Sequence, residues 1–142
     1  MIRYTAQNTE LPDFNQQKVS SWINQVAAYY GKQVGNINYI FCDDPTILQV
    51  NQQYLQHDYY TDVITFDYSI QRTISGDIYI SVDTVRTNAE QVGDSFEREL
   101  LRIIIHGVLH LTGQADKTPT ARTEMTNKEN HALSLLAPDR FP

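Results

Sequence analysis

Between Phe96 and Leu111 the chain carries Leu100, Leu101, Ile103, Ile104, Ile105, Val108, Leu109 and Leu111, so a helix built from this segment is apolar on nearly every side. Such a helix cannot rest on a surface with one face in water; other elements have to cover it. The rest of the chain must therefore supply that cover. At 142 residues it is long enough to do so within one domain, residues 1–142, without disulfide staples.

The covering elements are readable from apolar spacing. Val19, Trp22, Ile23, Val26, Ala27 and Tyr30 recur at three- and four-residue intervals, which predicts an amphipathic helix from Asn15 to Tyr30 with Gly31 at its end. Strands are expected at Ile2 to Ala6, Asn36 to Cys42, Asp62 to Tyr68 and Asp77 to Val82, where β-branched and aromatic residues concentrate. The last two should be neighbours in a sheet. Further helices are expected from Asp43-Asp44-Pro45 to Leu55, from Asp83 to Val92 and from Thr120 to Leu136, the last ended by Pro138. Mixed strands and helices with a helical C-terminal third indicate an α+β fold: one domain, a mixed sheet of about four strands, and helices packed on it.

Two polar residues interrupt the apolar helix on one face. His106 and His110 are four apart and can point at a single ion, and Glu99 and Arg102 lie close to the same stripe as supporting or cleft-wall residues. A third ligand must come from beyond the helix. If the helix simply continued, Asp116 would lie roughly 9 Å past His110 and on another face. Gly113 removes that obstacle, because a left-handed residue there ends the helix and turns Asp116 back towards the histidines. The expected site is His106, His110 and Asp116 around one transition-metal ion per chain, with zinc (Zn2+) expected and another divalent transition metal possible in the same donor set. The competing explanations are two hydrogen-bonded helix histidines and a solvated loop acid beside Lys117. The joint spacing of histidine, histidine, glycine and carboxylate favours the metal.

Two imidazoles and a carboxylate leave a coordination position open, the arrangement of hydrolytic zinc. The same histidine spacing occurs in metzincin proteases, where a glutamate after the first histidine is the general base. Here that residue is Gly107, so a metallopeptidase-like hydrolase is the weaker alternative. His131 has no partner at ligand spacing and reads as a surface residue; His57 reads as a loop residue near a cleft at most. Cys42 lies in an apolar run and reads as a buried, inert thiol.

Composition limits the rest. A net charge of −6 argues against coating nucleic acid by bulk positive charge. No apolar stretch approaches the roughly 20 residues that span a bilayer, and the N-terminus lacks a secretory pattern, so no membrane contact and a cytoplasmic location are expected.

His106-Gly107-Val108-Leu109-His110-Leu111-Thr112-Gly113 resembles the H-G-x-L-H-L-x-G signature of the YbeY endoribonuclease family. Asn51-Gln52-Gln53-Tyr54 with Thr61-Asp62-Val63-Ile64-Thr65-Phe66 is similar to the family's L-N-x-x-[YF]-R and T-D-V-L-S-F segments. Gly76-Asp77-Ile78-Tyr79-Ile80-Ser81 is similar to its G-D-I-x-I-S strand, and Arg98-Glu99-Leu100 to its lead-in to the ligand helix. The resemblance implies a metal-dependent endonuclease specific for single-stranded RNA, acting in rRNA maturation at the 3′ end of the small-subunit RNA and in ribosome quality control. It also implies the small ribosomal subunit as partner. Two positions depart from the family. Asp116 stands where most members have histidine, leaving the site less positive by one charge and the metal less acidifying. Leu55 stands where the family carries an arginine, and Arg102 is the candidate to supply that cation. With Leu55 in place, a ribosome-assembly binding factor with a structural metal is the other alternative.

Overall fold

The apolar helix lies where its composition demands, under a sheet and between other helices. In this computed structural model, which describes residues 1–55 and 62–136, the elements run β1 (Ile2–Gln7), α1 (Gln16–Tyr29), β2 (Gln33–Cys42), α2 (Asp44–Leu55), β3 (Val63–Asp67), β4 (Thr73–Ser81), α3 (Val82–Val92), α4 (Phe96–Leu111) and α5 (Pro119–Ser134). The Leu55 side chain, Thr61, His57 and Pro138 lie outside the described residues. The sheet order is β1-β2-β4-β3, parallel between β1 and β2 and between β2 and β4, and antiparallel between β4 and β3. This is the single α+β domain with a mixed four-stranded sheet that the element order implies. No helix among the described residues is long and apolar enough to cross a membrane.

Strand alternation divides the core. Ile37, Tyr39 and Phe41 of β2 and Ile74, Ile78 and Ile80 of β4 face α1, α4 and α5 in the main cluster. Ile64 of β3 and Cys42 face the other way, with Ile47 and Val50 of α2. Cys42 is fully buried, and burial pushes its thiol up to about 12, so it is the inert residue its setting suggests.

Two buried hydrogen bonds fix the helices that carry the site. The Tyr39 hydroxyl donates to the Ile104 carbonyl (2.8 Å), tying α4 to the sheet, and the Trp22 indole donates to the Ala132 carbonyl (2.8 Å), tying α5 to α1. Boundaries differ from the sequence expectation mainly at strand starts. β2 begins at Gln33 and β4 at Thr73, because pairing with a neighbour extends both strands through polar residues without apolar alternation. Val82, expected at a strand end, starts α3 instead, since Ser81 Oγ accepts from Thr84 N and caps that helix.

β3 is an edge strand held close to β4 at Gly76. A Cβ there would sit 2.4 Å from the Phe66 carbonyl oxygen and 2.9 Å from Leu111 Cδ2. The obstruction includes backbone, which cannot swing aside. Gly76→Ala is expected to destabilise the fold by about 1–3 kcal/mol through overpacking, read as a lowered thermal midpoint; an unchanged midpoint would mean that β3 can shift freely.

Candidate metal centre

The site is built on the last two turns of α4. Ser95 caps the helix start, its Oγ accepting from Arg98 N, and the C-terminal end stops at Thr112 before Gly113, whose φ of 106° no ordinary side chain favours. That turn returns the chain as expected. Asp116 Oδ2 lies 3.1 Å from His110 Nε2 and 3.3 Å from His106 Nε2. One potential ligand atom from each of the three residues falls within 4.8 Å of the others, so this group could hold a metal ion.

The hydrogen bonds behind the rings decide the tautomers. His110 Nδ1 lies 2.9 Å from the Gln114 carbonyl oxygen, which can only accept, so Nδ1 carries the proton and Nε2 of the neutral ring presents a lone pair. His106 Nδ1 lies 2.6 Å from Glu129 Oε2, giving the same tautomer when that carboxylate is ionised. Two nitrogen lone pairs thus meet a carboxylate oxygen at about 3 Å. Three acceptors converging on one point repel unless a proton or cation sits among them, and that is the physical test this donor set passes as a metal site.

Glu129, from α5, is the residue sequence reasoning missed. It is 7% exposed and bridges two site residues, with Oε1 accepting from Arg102 Nη1 at 2.9 Å while Oε2 faces His106. Burial lowers the His106 pKa, but Glu129, with Asp116 and Asp62, more than offsets it, and the net shift is upward. Arg102 lines the cleft as expected, yet its charge is matched by Glu129, and its Nη2 donates to Asn130 Oδ1 (2.9 Å). Glu99 is buried beside this group without lining the cleft; burial raises its carboxyl, with Arg102 pulling the other way. His131 is exposed against Tyr29, away from the ligands.

The three ligands open onto a cleft of about 580 Å³. Its sheet side comes from the β3 edge, Asp62, Val63, Thr65 and Asp67, and its other side includes Asp116, Lys117 and Glu129. In the sequence Asp62 stood out only within an expected strand and the segment similar to T-D-V-L-S-F, with no role of its own. In the structure burial raises its carboxyl above the usual aspartate value, with His106 pulling the other way, which makes it a candidate proton-transfer group. Gly107 points elsewhere: a Cβ on it would meet Ile78 Cδ1 at 2.8 Å, against the sheet. The glutamate of a metzincin-type protease has no place there.

A family model described as Endoribonuclease YbeY matches residues 2–137. The chain belongs to the YbeY family. "Endoribonuclease YbeY" of Phocaeicola vulgatus is 56% identical over 137 residues, 96% of this chain and 99% of that protein. The Parabacteroides distasonis protein of the same description is 56% identical over 135 residues, 95% of each chain. The solution structure of TM1509 from Thermotoga maritima aligns with a TM-score of 0.66 at 26% identity, covering 94% of this chain and 87% of that one. YbeY proteins are metal-dependent hydrolytic endoribonucleases, and the peptidase alternative is not favoured.

Proposed function

We propose that this YbeY-family protein is a zinc-dependent endoribonuclease that cuts single-stranded RNA during maturation of the small-subunit rRNA 3′ end and in ribosome quality control, acting in the cytoplasm on or near the small ribosomal subunit. The observation that carries the reading is the convergence of His106 Nε2, His110 Nε2 and an Asp116 oxygen at the floor of an open cleft. A metal held there supplies charge neutralisation at a phosphodiester and acidifies water.

The chain's own residues do the rest. Glu129 and the Gln114 carbonyl hold both imidazoles with their Nε2 lone pairs forward. Asp62, partly buried across the cleft, takes and returns the proton. Arg102 uses two of its five N–H donors on Glu129 and Asn130 and has others to offer a phosphate oxygen. It is the guanidinium nearest the ligands in sequence, one helical turn before His106.

Protein purified without chelator or affinity metal is expected to carry about one zinc per chain by elemental analysis, the count set by a single three-ligand site. It is expected to cleave a labelled single-stranded RNA spanning a small-subunit 3′ end, to lose that activity on chelation and to regain it with zinc. Zinc-loaded protein that leaves the RNA intact while still co-sedimenting with small subunits would replace the nuclease by an assembly factor with a structural metal.

A further inference from the structure

We propose that Lys117 and Arg122 form a second phosphate-binding subsite, which grips the RNA backbone as it leaves the cleft along the outer side of α5. The inference rests on the RNA-nuclease reading above. It starts from a charge problem. The cleft is lined by the carboxylates of Asp62, Asp67, Asp116 and Glu129, while the whole chain carries a net charge of −6. A polyanion entering such a cleft needs cations beyond the metal, because phosphate contacts by Lys and Arg supply most sequence-independent affinity.

Two cations line the cleft, Arg102 and Lys117, and the first is already engaged, as are several elsewhere. Among the described residues, Arg86, Arg98 and Arg102 each pair with a carboxylate, and Lys128 lies over the Tyr30 ring. Lys117 lines the cleft next to the ligand Asp116 and is exposed, with no carboxylate within 4.0 Å among the described residues. Arg122 is likewise exposed and, among the described residues, without an acidic partner, and its Nη1 donates to the Lys117 carbonyl at 3.3 Å, which holds its guanidinium beside Lys117. From there a shallow groove of about 320 Å³ runs along α5, lined by Pro119, Arg122, Thr123, Thr126 and Asn127. No carboxylate among the described residues lines it. The cleft therefore has carboxylates on its β3 side and a cationic way out past Lys117, and the second suits a backbone phosphate next to the scissile one.

The test is the salt dependence of binding, measured by fluorescence anisotropy of a labelled single-stranded 2′-O-methyl RNA decamer with zinc-loaded protein. Lys117→Ala/Arg122→Ala is expected to flatten the slope of log K against log salt by about 1.4, at about 0.7 per lost phosphate contact on a single strand. The loss in kcat/KM on cleavable RNA should appear chiefly in KM, zinc content should not change, and Lys117→Arg should restore most of the binding. Lys18→Ala, an exposed lysine on α1, serves as the charge control and should keep the wild-type slope. A double variant with the wild-type slope and KM overturns the subsite. Failure of the nuclease reading looks different: wild-type protein then cuts no RNA, whatever the slopes are.

Discussion

His110→Ala is expected to bind no stoichiometric zinc and to lose RNA cleavage entirely. His110 is one of three ligands, and removing it leaves only His106 and Asp116 facing the site. Losing a group that merely orients a ligand already costs about 10–100-fold in affinity or activity, so loss of the ligand itself should exceed that range. The variant should still fold, because the side chain is 26% exposed and its Nδ1 bond goes to the Gln114 carbonyl in the turn after α4 rather than to the hydrophobic core. Thermal melts supply a readout that needs no activity. A ligand bound only by the native state stabilises by about 2.7 kcal/mol at a hundredfold excess over its Kd. Added zinc should therefore raise the midpoint of the wild type and of His131→Ala, whose imidazole is exposed beside Tyr29, and leave His110→Ala unmoved. Unchanged metal content in His110→Ala would remove the site assignment altogether.

What could be seen in the sequence was whatever is local. His106, His110, Gly113 and Asp116 span eleven positions of one helix and the turn after it, so helical periodicity and one glycine suffice to place three ligands together. The apolar surroundings of α4 identified it as buried for the same reason. Glu129 was invisible because it reaches His106 from 23 positions away, on a helix whose docking depends on Trp22 and Ala132 rather than on anything next to the ligands. A signal did exist. The buried residues of α5 are Met125, Glu129, Ala132 and Leu133, a helical stripe in which one member is a carboxylate. A glutamate on an apolar stripe is almost never buried unless paired, so it announces a partner without naming one. Strand order was hidden for a different reason: β4 inserts between β2 and β3, which depends on contacts among three segments and on no local pattern.

That buried carboxylate sets the second large effect. Glu129→Gln keeps the size of the side chain and removes its charge, leaving Arg102 without its ionic partner and His106 Nδ1 without a strong acceptor. Zinc affinity is expected to fall by about 10–100-fold at pH 8, the range for loss of a carboxylate behind a ligating histidine. The pH profile separates this orienting role from simple damage to the fold. In metal-free protein the His106 pKa is raised, so the ring stays protonated to a pH above the ordinary histidine value, and zinc must displace that proton. Wild-type zinc affinity should thus begin to fall, on acidification, at a higher pH than an unperturbed histidine would set. Without the Glu129 charge, burial pulls the His106 pKa down, and the acid limb should move to lower pH even though the plateau affinity is weaker. The stability of the metal-free wild type should change in the linked direction: the contribution from His106 is fully present below the unfolded pKa of about 6.5 and is lost as pH rises through the raised folded value. Glu129→Gln should lose most of that slope. A variant that only loosened α5 would weaken zinc at every pH and leave the midpoint of the acid limb where the wild type has it, and that result would reduce Glu129 to a packing residue.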